Sequence, residues 1–164
     1  MFDATLFPNA TDQNRQPDSD PSTDYNCLGW AVHSKRLNIW PDFDNSWPVD
    51  MPRVENVDSI VRFLERLGFA DCNGDISLEA GFEKVAIYST KGVPQHVARQ
   101  RPDGKWTSKL NRLIDIWHLT PYVLANPAQV QFSYGIVVKI MRRRWNGPPV
   151  LPEMFPPPTQ IIRS

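Results

Sequence analysis

Four β-rich stretches in the second half of the chain constrain the fold more than any other feature of the sequence. Residues 84–90 (KVAIYST) and 134–141 (YGIVVKIM) are rich in β-branched and aromatic side chains, which favour strands. Residues 95–110 surround the turn signal RPDG at 101–104, which predicts a β-hairpin. Residues 113–118 form a further short strand pattern. We therefore predict an antiparallel sheet of four or five strands.

Helical patterns precede these strands. A helix is predicted over residues 25–35, and apolar residues then recur at helical spacing from 57 to 67. Asn56 is a candidate N-cap for this second helix, and Gly68 is a candidate residue just after its end. Helices followed by strands predict an α+β fold, with the N-terminal helices packed on one face of the sheet.

Composition limits the classes of function. The chain has 164 residues with 41% hydrophobic and 22% charged residues, which suits one globular domain. Lys plus Arg and Asp plus Glu number 18 each, so the formal net charge is zero. The overall charge therefore does not favour nucleic acid or an anionic membrane as a partner. Two cysteines do not make a disulfide framework. With no signal-peptide pattern and no membrane-spanning run, we expect a cytoplasmic protein; secretion without a signal would leave the same pattern.

Proline marks the expected domain limits. Six of the 16 prolines lie between residues 148 and 158, where they exclude helix and central strand. We predict a single domain over residues 1–147, with an irregular N-terminal arm at 1–24, and a proline-rich tail at 148–164. The apolar residues of the tail favour its packing on the domain over a free linker, and the tail is a candidate binding segment for a protein partner.

Cys27 is the candidate nucleophile. It follows a run of turn-forming residues at 17–24 and begins the first predicted helix, where the positive end of the helix dipole would lower its pKa. The chain has three histidines. His33 lies on the same helix, on a side away from Cys27. His96 begins a strand of the predicted hairpin, so a Cys27–His96 ion pair is the predicted resting nucleophile.

Three residues are candidates for the group that orients His96. Hairpin pairing brings Ser108 closest to His96. Asp115 is preferred on chemical grounds, because a carboxylate stabilises an imidazolium by charge and a hydroxyl does not. His118 is the third candidate, and the sequence leaves the choice open.

Other residues are candidates for binding the substrate. Asn26 would help to stabilise an oxyanion, or would instead cap the helix. Gln100 shares the His96 face of its strand by alternation, whereas Arg99 points to the opposite face. Trp30 and Trp106 would line a cleft or pack in the core. No short Cys/His spacing typical of a metal site occurs, and we expect no metal and no cofactor.

The motifs that carry these residues resemble an uncharacterised bacterial family with the patterns YNCxxWA, ExGxxKxALY, HxARQ, GxWTSKLG and DIxH. The matching segments here are 25–31 (YNCLGWA), 79–88 (EAGFEKVAIY), 96–100 (HVARQ), 104–110 (GKWTSKL) and 115–118 (DIWH). A looser resemblance extends to bacterial and phage proteins with NCYxYA, HxxRQ and GxWSHKPG. This chain has Asn111 where the first family tends to have glycine, and Ser108 where the second has histidine.

Both groups resemble the papain-like, NlpC/P60-type cysteine hydrolases. The resemblance implies a Cys–His site on a papain-like α+β fold. The leading hypothesis is a cysteine hydrolase acting on an amide bond, as a peptidase, amidase or deamidase, with a peptide or other amide as substrate. The alternative is a non-catalytic binding or interaction domain on the same fold.

Overall fold

The computed structural model describes residues 3–110 and 113–157, so Asn111 and the last seven residues of the predicted tail lie outside the described residues. The described residues contain nine strands, two α-helices, α1 (Cys27–Ala31) and α2 (Val57–Arg66), and one 3₁₀ helix, Pro121–Leu124. The strands are β1 (Arg15–Pro17), β2 (Trp47–Pro48), β3 (Ala70–Asp71), β4 (Phe82–Thr90), β5 (Val93–Gln100), β6 (Trp106–Lys109), β7 (Asp115–His118), β8 (Ile136–Arg144) and β9 (Met154–Phe155).

Seven of these strands form one antiparallel sheet in the order β1-β7-β6-β5-β4-β8-β3, and β2 pairs with β9 in a separate two-stranded sheet. The predicted fold class, a papain-like α+β fold with N-terminal helices packed on one face of four or five strands, is therefore wrong. The sheet dominates the molecule, and the two α-helices contribute only 5 and 10 residues.

The first helix is shorter than predicted because the backbone leaves the helical region soon after Ala31. His33 has a φ of 67°, a left-handed conformation that a right-handed helix does not contain. The second helix follows its sequence signals. The Asn56 side chain accepts a hydrogen bond from the Ser59 N–H, and Gly68 has a φ of 102° just past the helix end, so both predicted caps are confirmed.

A two-residue turn joins β4 to β5. Lys91 and Gly92 have φ values of 50° and 84°, the positive angles of the tight turns that match strand twist. This hairpin was missed, because the sequence pattern placed the start of the second strand at residue 95. The predicted hairpin around 101–104 forms between β5 and β6, with Arg99 opposite Thr107.

Side chains from the two faces of the sheet belong to two separate hydrophobic clusters. On one face, Val85, Ile87 and Val97 pack with side chains of α1 and α2. On the opposite face, Ala86, Tyr88 and Ala98 pack with residues that include Trp106 and Tyr134. Strand alternation therefore decides to which cluster each candidate site residue belongs.

The described part of the proline-rich tail lies against the loop that holds β2. Strand β9 pairs with β2, and the Val49 N–H donates to the Glu153 carbonyl at 3.2 Å. Arg53 donates hydrogen bonds to the carbonyls of Phe155 and Pro156. At the other end of the chain, Arg15–Pro17 of the predicted irregular arm pairs with β7 as an edge strand.

Candidate functional site

A chain of buried hydrogen bonds joins two of the three histidines. Ser108 Oγ lies 2.9 Å from His96 Nε2 and 2.8 Å from His118 Nε2. His118 Nδ1 lies 2.8 Å from the carbonyl oxygen of Thr120. The three side chains come from β5, β6 and β7, and each is at most 1% exposed. Of the three candidates for orienting His96, Ser108 contacts its ring directly, and His118 acts through Ser108.

Burial keeps both rings neutral. It lowers the pKa of His96 well below its ordinary value, and the electrostatic interaction with the neighbouring His118 lowers it further. Burial also lowers the pKa of His118 to about 4, against a smaller opposing effect of the Thr120 carbonyl.

The proton positions in this chain follow from the partners. The Thr120 carbonyl only accepts, so the proton of neutral His118 is on Nδ1, and its Nε2 accepts from the Ser108 hydroxyl. Ser108 Oγ must then accept from His96, whose proton is on Nε2. Neutral His96 therefore keeps a lone pair on Nδ1, which makes that atom a base.

Cys27 is the first residue of α1 and is only 9% exposed. Burial raises the pKa of its thiol to about 11, although backbone hydrogen bonds from Val97, Leu28 and Cys27 itself act to lower it. The predicted lowering of this pKa is wrong, because a five-residue helix offers a weak dipole and desolvation outweighs it. With His96 also neutral, the resting state is a thiol and an imidazole, not the predicted ion pair.

Tyr134 contacts the His96 ring, and sequence reasoning missed it. Its ring stacks on the His96 ring with centroids 4.1 Å apart and planes 2° apart. Burial raises the pKa of Tyr134, and the neighbouring Cys27 raises it further, which places the phenol in the electrostatic range of the thiol. Among the described residues, no hydrogen bond joins the Cys27 sulfur to His96.

Gly135 explains how Tyr134 reaches this position. It has a φ of 74°, and a Cβ there would meet the Ser89 carbonyl oxygen at 1.9 Å, so the chain after Tyr134 passes directly against β4. The sequence signal for this contact was a single glycine at the start of a predicted strand, which by itself does not indicate a site.

Asp115, the preferred orienting group, lies away from His96. Its Oδ2 accepts hydrogen bonds from Ser19 Oγ at 2.8 Å and from the Tyr25 hydroxyl at 2.7 Å. Burial, with Asp115 as the next cause, raises the pKa of Tyr25 to about 12. Asp115 pairs with Lys109 and therefore shares its face, opposite to the face of Ser108 and His96.

The remaining candidates make structural contacts. Asn26 caps α1: its Oδ1 accepts from the Gly29 and Ile39 N–H groups, and its Nδ2 donates to the Ile39 carbonyl. Gln100 donates to the Ile76 carbonyl. Trp30 donates to Thr107 Oγ1, and Trp106 is buried in the core with 1% exposure.

The surroundings of the cluster limit what it can hold. A groove of about 1050 Å³ reaches Asn26, beside Cys27. Within residues 3–110 and 113–157, no group of three or more His, Cys, Asp or Glu side chains is arranged to hold a metal ion. In the same part of the chain, no helix is long and apolar enough to cross a membrane.

The fold and the site together define a class: a β-sheet domain with two buried neutral histidines linked through a serine across three adjacent strands, a phenol stacked on one of them, and a buried thiol at the start of α1. The chain belongs to the family described as Domain of unknown function (DUF7689), whose model matches residues 16–142. This range includes every residue of the cluster. No curated protein and no solved structure matches the chain.

Proposed function

We propose that this protein is a cysteine hydrolase that acts on an amide bond, with Cys27 as nucleophile and His96 as base. The observation that supports this most directly is the hydrogen-bond chain through Ser108 and His118. It orients His96 and leaves the lone pair of Nδ1 free to accept a proton. The proposal concerns the side chains of the cluster and does not depend on a papain-like fold.

The reaction follows from the neutral resting state. As Cys27 Sγ attacks the carbonyl carbon, an S–C bond forms and the thiol proton passes to His96 Nδ1. His96 then gives this proton to the leaving nitrogen as the C–N bond breaks. Water, activated by the same ring, hydrolyses the thioester and releases the acid. The backbone N–H groups of Leu28 and Val97, which favour a thiolate, are the candidate donors to the oxyanion.

A second function, a non-catalytic binding or interaction domain, is favoured by one observation. Cys27 is 9% exposed, and burial raises the pKa of its thiol to about 11. In that case the thiol is a core side chain, and the buried histidines specify the packing of the sheet.

Alkylation of Cys27 by iodoacetamide as a function of pH separates the two functions. A Cys72→Ser variant leaves Cys27 as the single thiol, since the chain has two cysteines. With a pKa of about 11, only about one Cys27 thiol in ten thousand is ionised at pH 7. Without a base, the rate should rise about tenfold with each pH unit.

If His96 acts as the base, the alkylation rate near neutral pH exceeds the rate expected from ionisation of the thiol alone and becomes nearly independent of pH. His96→Gln should then restore the tenfold rise, while the Cys72→Ser protein that also carries Cys27→Ser serves as the blank. A rate that follows ionisation alone in both the Cys72→Ser protein and its His96→Gln derivative would rule out the hydrolase and leave the binding domain.

A further inference from the structure

A second cavity lies away from Cys27 and His96, next to the ends of β4 and β5. It has a volume of about 630 Å³, within the range of roughly 300–1,000 Å³ that is typical of small-molecule sites. Leu78 and Trp145 form apolar walls and are 54% and 45% exposed, although both are large hydrophobic side chains. Phe82 completes this apolar surface.

The cavity contains a buried carboxylate oxygen that lacks a hydrogen bond. Glu83 is 7% exposed, and its Oε2 accepts a hydrogen bond from Arg143 at 3.3 Å. Its Oε1 has no hydrogen-bond partner among the described residues. His33 Nε2 lies 3.4 Å from it and also lacks a hydrogen bond there. A buried carboxylate oxygen in this condition has capacity for a donor from a ligand.

The same cavity contains an arginine with unused donors. Arg99 is half-buried, its Nε donates to the Trp30 carbonyl at 3.3 Å, and its guanidinium lies over the Trp30 ring at 4.9 Å. Within the described residues, its two terminal nitrogens make no hydrogen bond and no ion pair. A guanidinium with a free pair of donors is suited to bind a carboxylate with two hydrogen bonds.

The carboxylate and the guanidinium are near each other without touching. Arg99 pairs with Val85 across the strands, and Glu83 lies two residues before Val85 on the same face. Such diagonal neighbours lie roughly 7–8 Å apart, with their Cβ atoms somewhat closer. The other charged side chains of the lining are paired: Glu79 with Lys84 and Arg142, and Arg101 with Asp18 and Asp103.

We propose that this cavity binds a free α-amino acid with an apolar side chain. Its ammonium group donates to Glu83 Oε1, its carboxylate binds Arg99, and its side chain covers Leu78 and Trp145. An amino acid carries the two opposite charges close together, which suits two side chains that are diagonal neighbours across β4 and β5. The site shares no residue with the Cys27 cluster and is independent of the proposed hydrolase.

Titration calorimetry with L-leucine and two analogues tests the proposal on the full chain. L-Leucinamide keeps the ammonium group but lacks the carboxylate, and N-acetyl-L-leucine keeps the carboxylate but lacks the ammonium group. Because each charged contact contributes strongly, each analogue should bind at least about tenfold more weakly than leucine. Trp145 should report leucine binding by a fluorescence change that a Trp145→Phe variant loses.

Arg99→Gln should weaken leucine about tenfold and leave leucinamide unchanged, because only leucine uses the guanidinium. Arg101→Gln is the matched control, since it removes an arginine of the same lining that is already paired, and it should change leucine affinity less than about twofold. Glu83→Gln also breaks the pair with Arg143, so if this variant does not fold, the two analogues decide the role of Glu83.

The proposal is overturned if leucine shows no saturable binding, or if either analogue binds as tightly as leucine. It is also overturned if Arg101→Gln weakens leucine as much as Arg99→Gln.

Discussion

At the scale of single residues, Ser108 determines the protonation of both buried histidines. A hydroxyl between two ring nitrogens donates one hydrogen bond and accepts the other, so the two rings must carry their protons on different atoms. The Thr120 carbonyl determines the assignment, because it can only accept from His118 and so places the His118 proton on Nδ1. Which nitrogen of His96 is basic thus depends on the Thr120 carbonyl oxygen, which acts through the side chains of His118 and Ser108.

This order of protons can be observed directly. In ¹⁵N-detected imidazole spectra at neutral pH, we expect His96 as the Nε2–H form and His118 as the Nδ1–H form, both uncharged. An imidazolium signal from either ring, or the same tautomer on both, would contradict the proposed chain. His33, outside the cluster, provides an internal reference in the same spectrum.

Removing the hydroxyl should destabilise the protein. Ser108→Ala leaves two buried ring nitrogens without a partner, so we expect a loss of about 2–4 kcal/mol in the free energy of unfolding. Ser34→Ala is a suitable control, because the Ser34 hydroxyl only accepts a 3.2 Å hydrogen bond from the Arg36 N–H and should change stability by less than about 1 kcal/mol. Equal losses in urea unfolding would show that the buried chain contributes little.

Sequence reasoning named most residues of the site but chose the wrong residue as the preferred group to orient His96. Cys27, His96, Ser108 and His118 were all named from motif and spacing. Asp115 was preferred over Ser108 because of its charge, yet β7 presents its odd-numbered side chains to the opposite face. The register of β7 against β6 sets that parity, and no local pattern in the sequence determines it. Tyr134 was missed because its contact with His96 is entirely tertiary.

At the scale of elements, α1 depends on contacts with the segment that follows it. Asn26 makes three hydrogen bonds, two of them to the backbone of Ile39. A Cβ on Gly29 would meet the Leu37 carbonyl oxygen at 2.2 Å, so the helix passes directly against this segment. These contacts hold Cys27 in place although the helix itself has only five residues.

The two helix caps offer a matched comparison. Asn56 caps α2 with one hydrogen bond, so Asn56→Ala should cost about 1 kcal/mol. Asn26→Ala also removes both bonds to Ile39 and should cost about 2–3 kcal/mol. Asn26→Asp keeps the acceptor but loses the donor, so its unfolding free energy should lie between those of wild type and Asn26→Ala. Equal losses for the two alanine variants would show that the bonds to Ile39 do not matter.

Long elements could be predicted, and short ones could not. The strands β4 and β8 and the helix α2 carry enough apolar residues in a regular pattern to be recognised. The edge strands β1 and β3 of the large sheet have only three and two residues, and their pairing partners define them. Such elements have no periodicity of their own, so the size of the sheet was underestimated.

At the scale of the whole molecule, the buried histidines link stability to pH. Burial lowers the pKa of His118 from 6.5 to about 4, so between these values the unfolded chain binds a proton that the folded chain does not. The contribution of His118 to the free energy of unfolding is therefore fully present above pH 6.5. It is lost as the pH drops towards 4, a loss of about 3 kcal/mol. His96, with its pKa also lowered, acts in the same direction.

Urea unfolding at several pH values between 4 and 6.5 measures this loss. His118→Gln should flatten the dependence, since the carboxylates that titrate nearby contribute equally to both proteins. An unchanged slope in the variant would show that His118 is protonated in the folded state. The comparison uses slopes, so a lower overall stability of the variant does not affect it.

The overall topology could not be predicted from the order of elements. Helices before strands indicated an α+β fold, but the order does not determine which strands become neighbours. β8 lies between β4 and β3, and β1 extends the sheet beyond β7. Both pairings join segments that are far apart in sequence. Tertiary contacts throughout the core, and not local sequence, determine which strands pair there.

The two outer strands of the sheet have a consequence for behaviour at high concentration. An open strand edge is a template on which another chain can add a strand and begin to aggregate. Here one edge has three residues and ends in Pro17, which has no N–H to donate, and the other has two residues and ends in the charged Asp71. The large sheet is thus closed to further strands by its two smallest members.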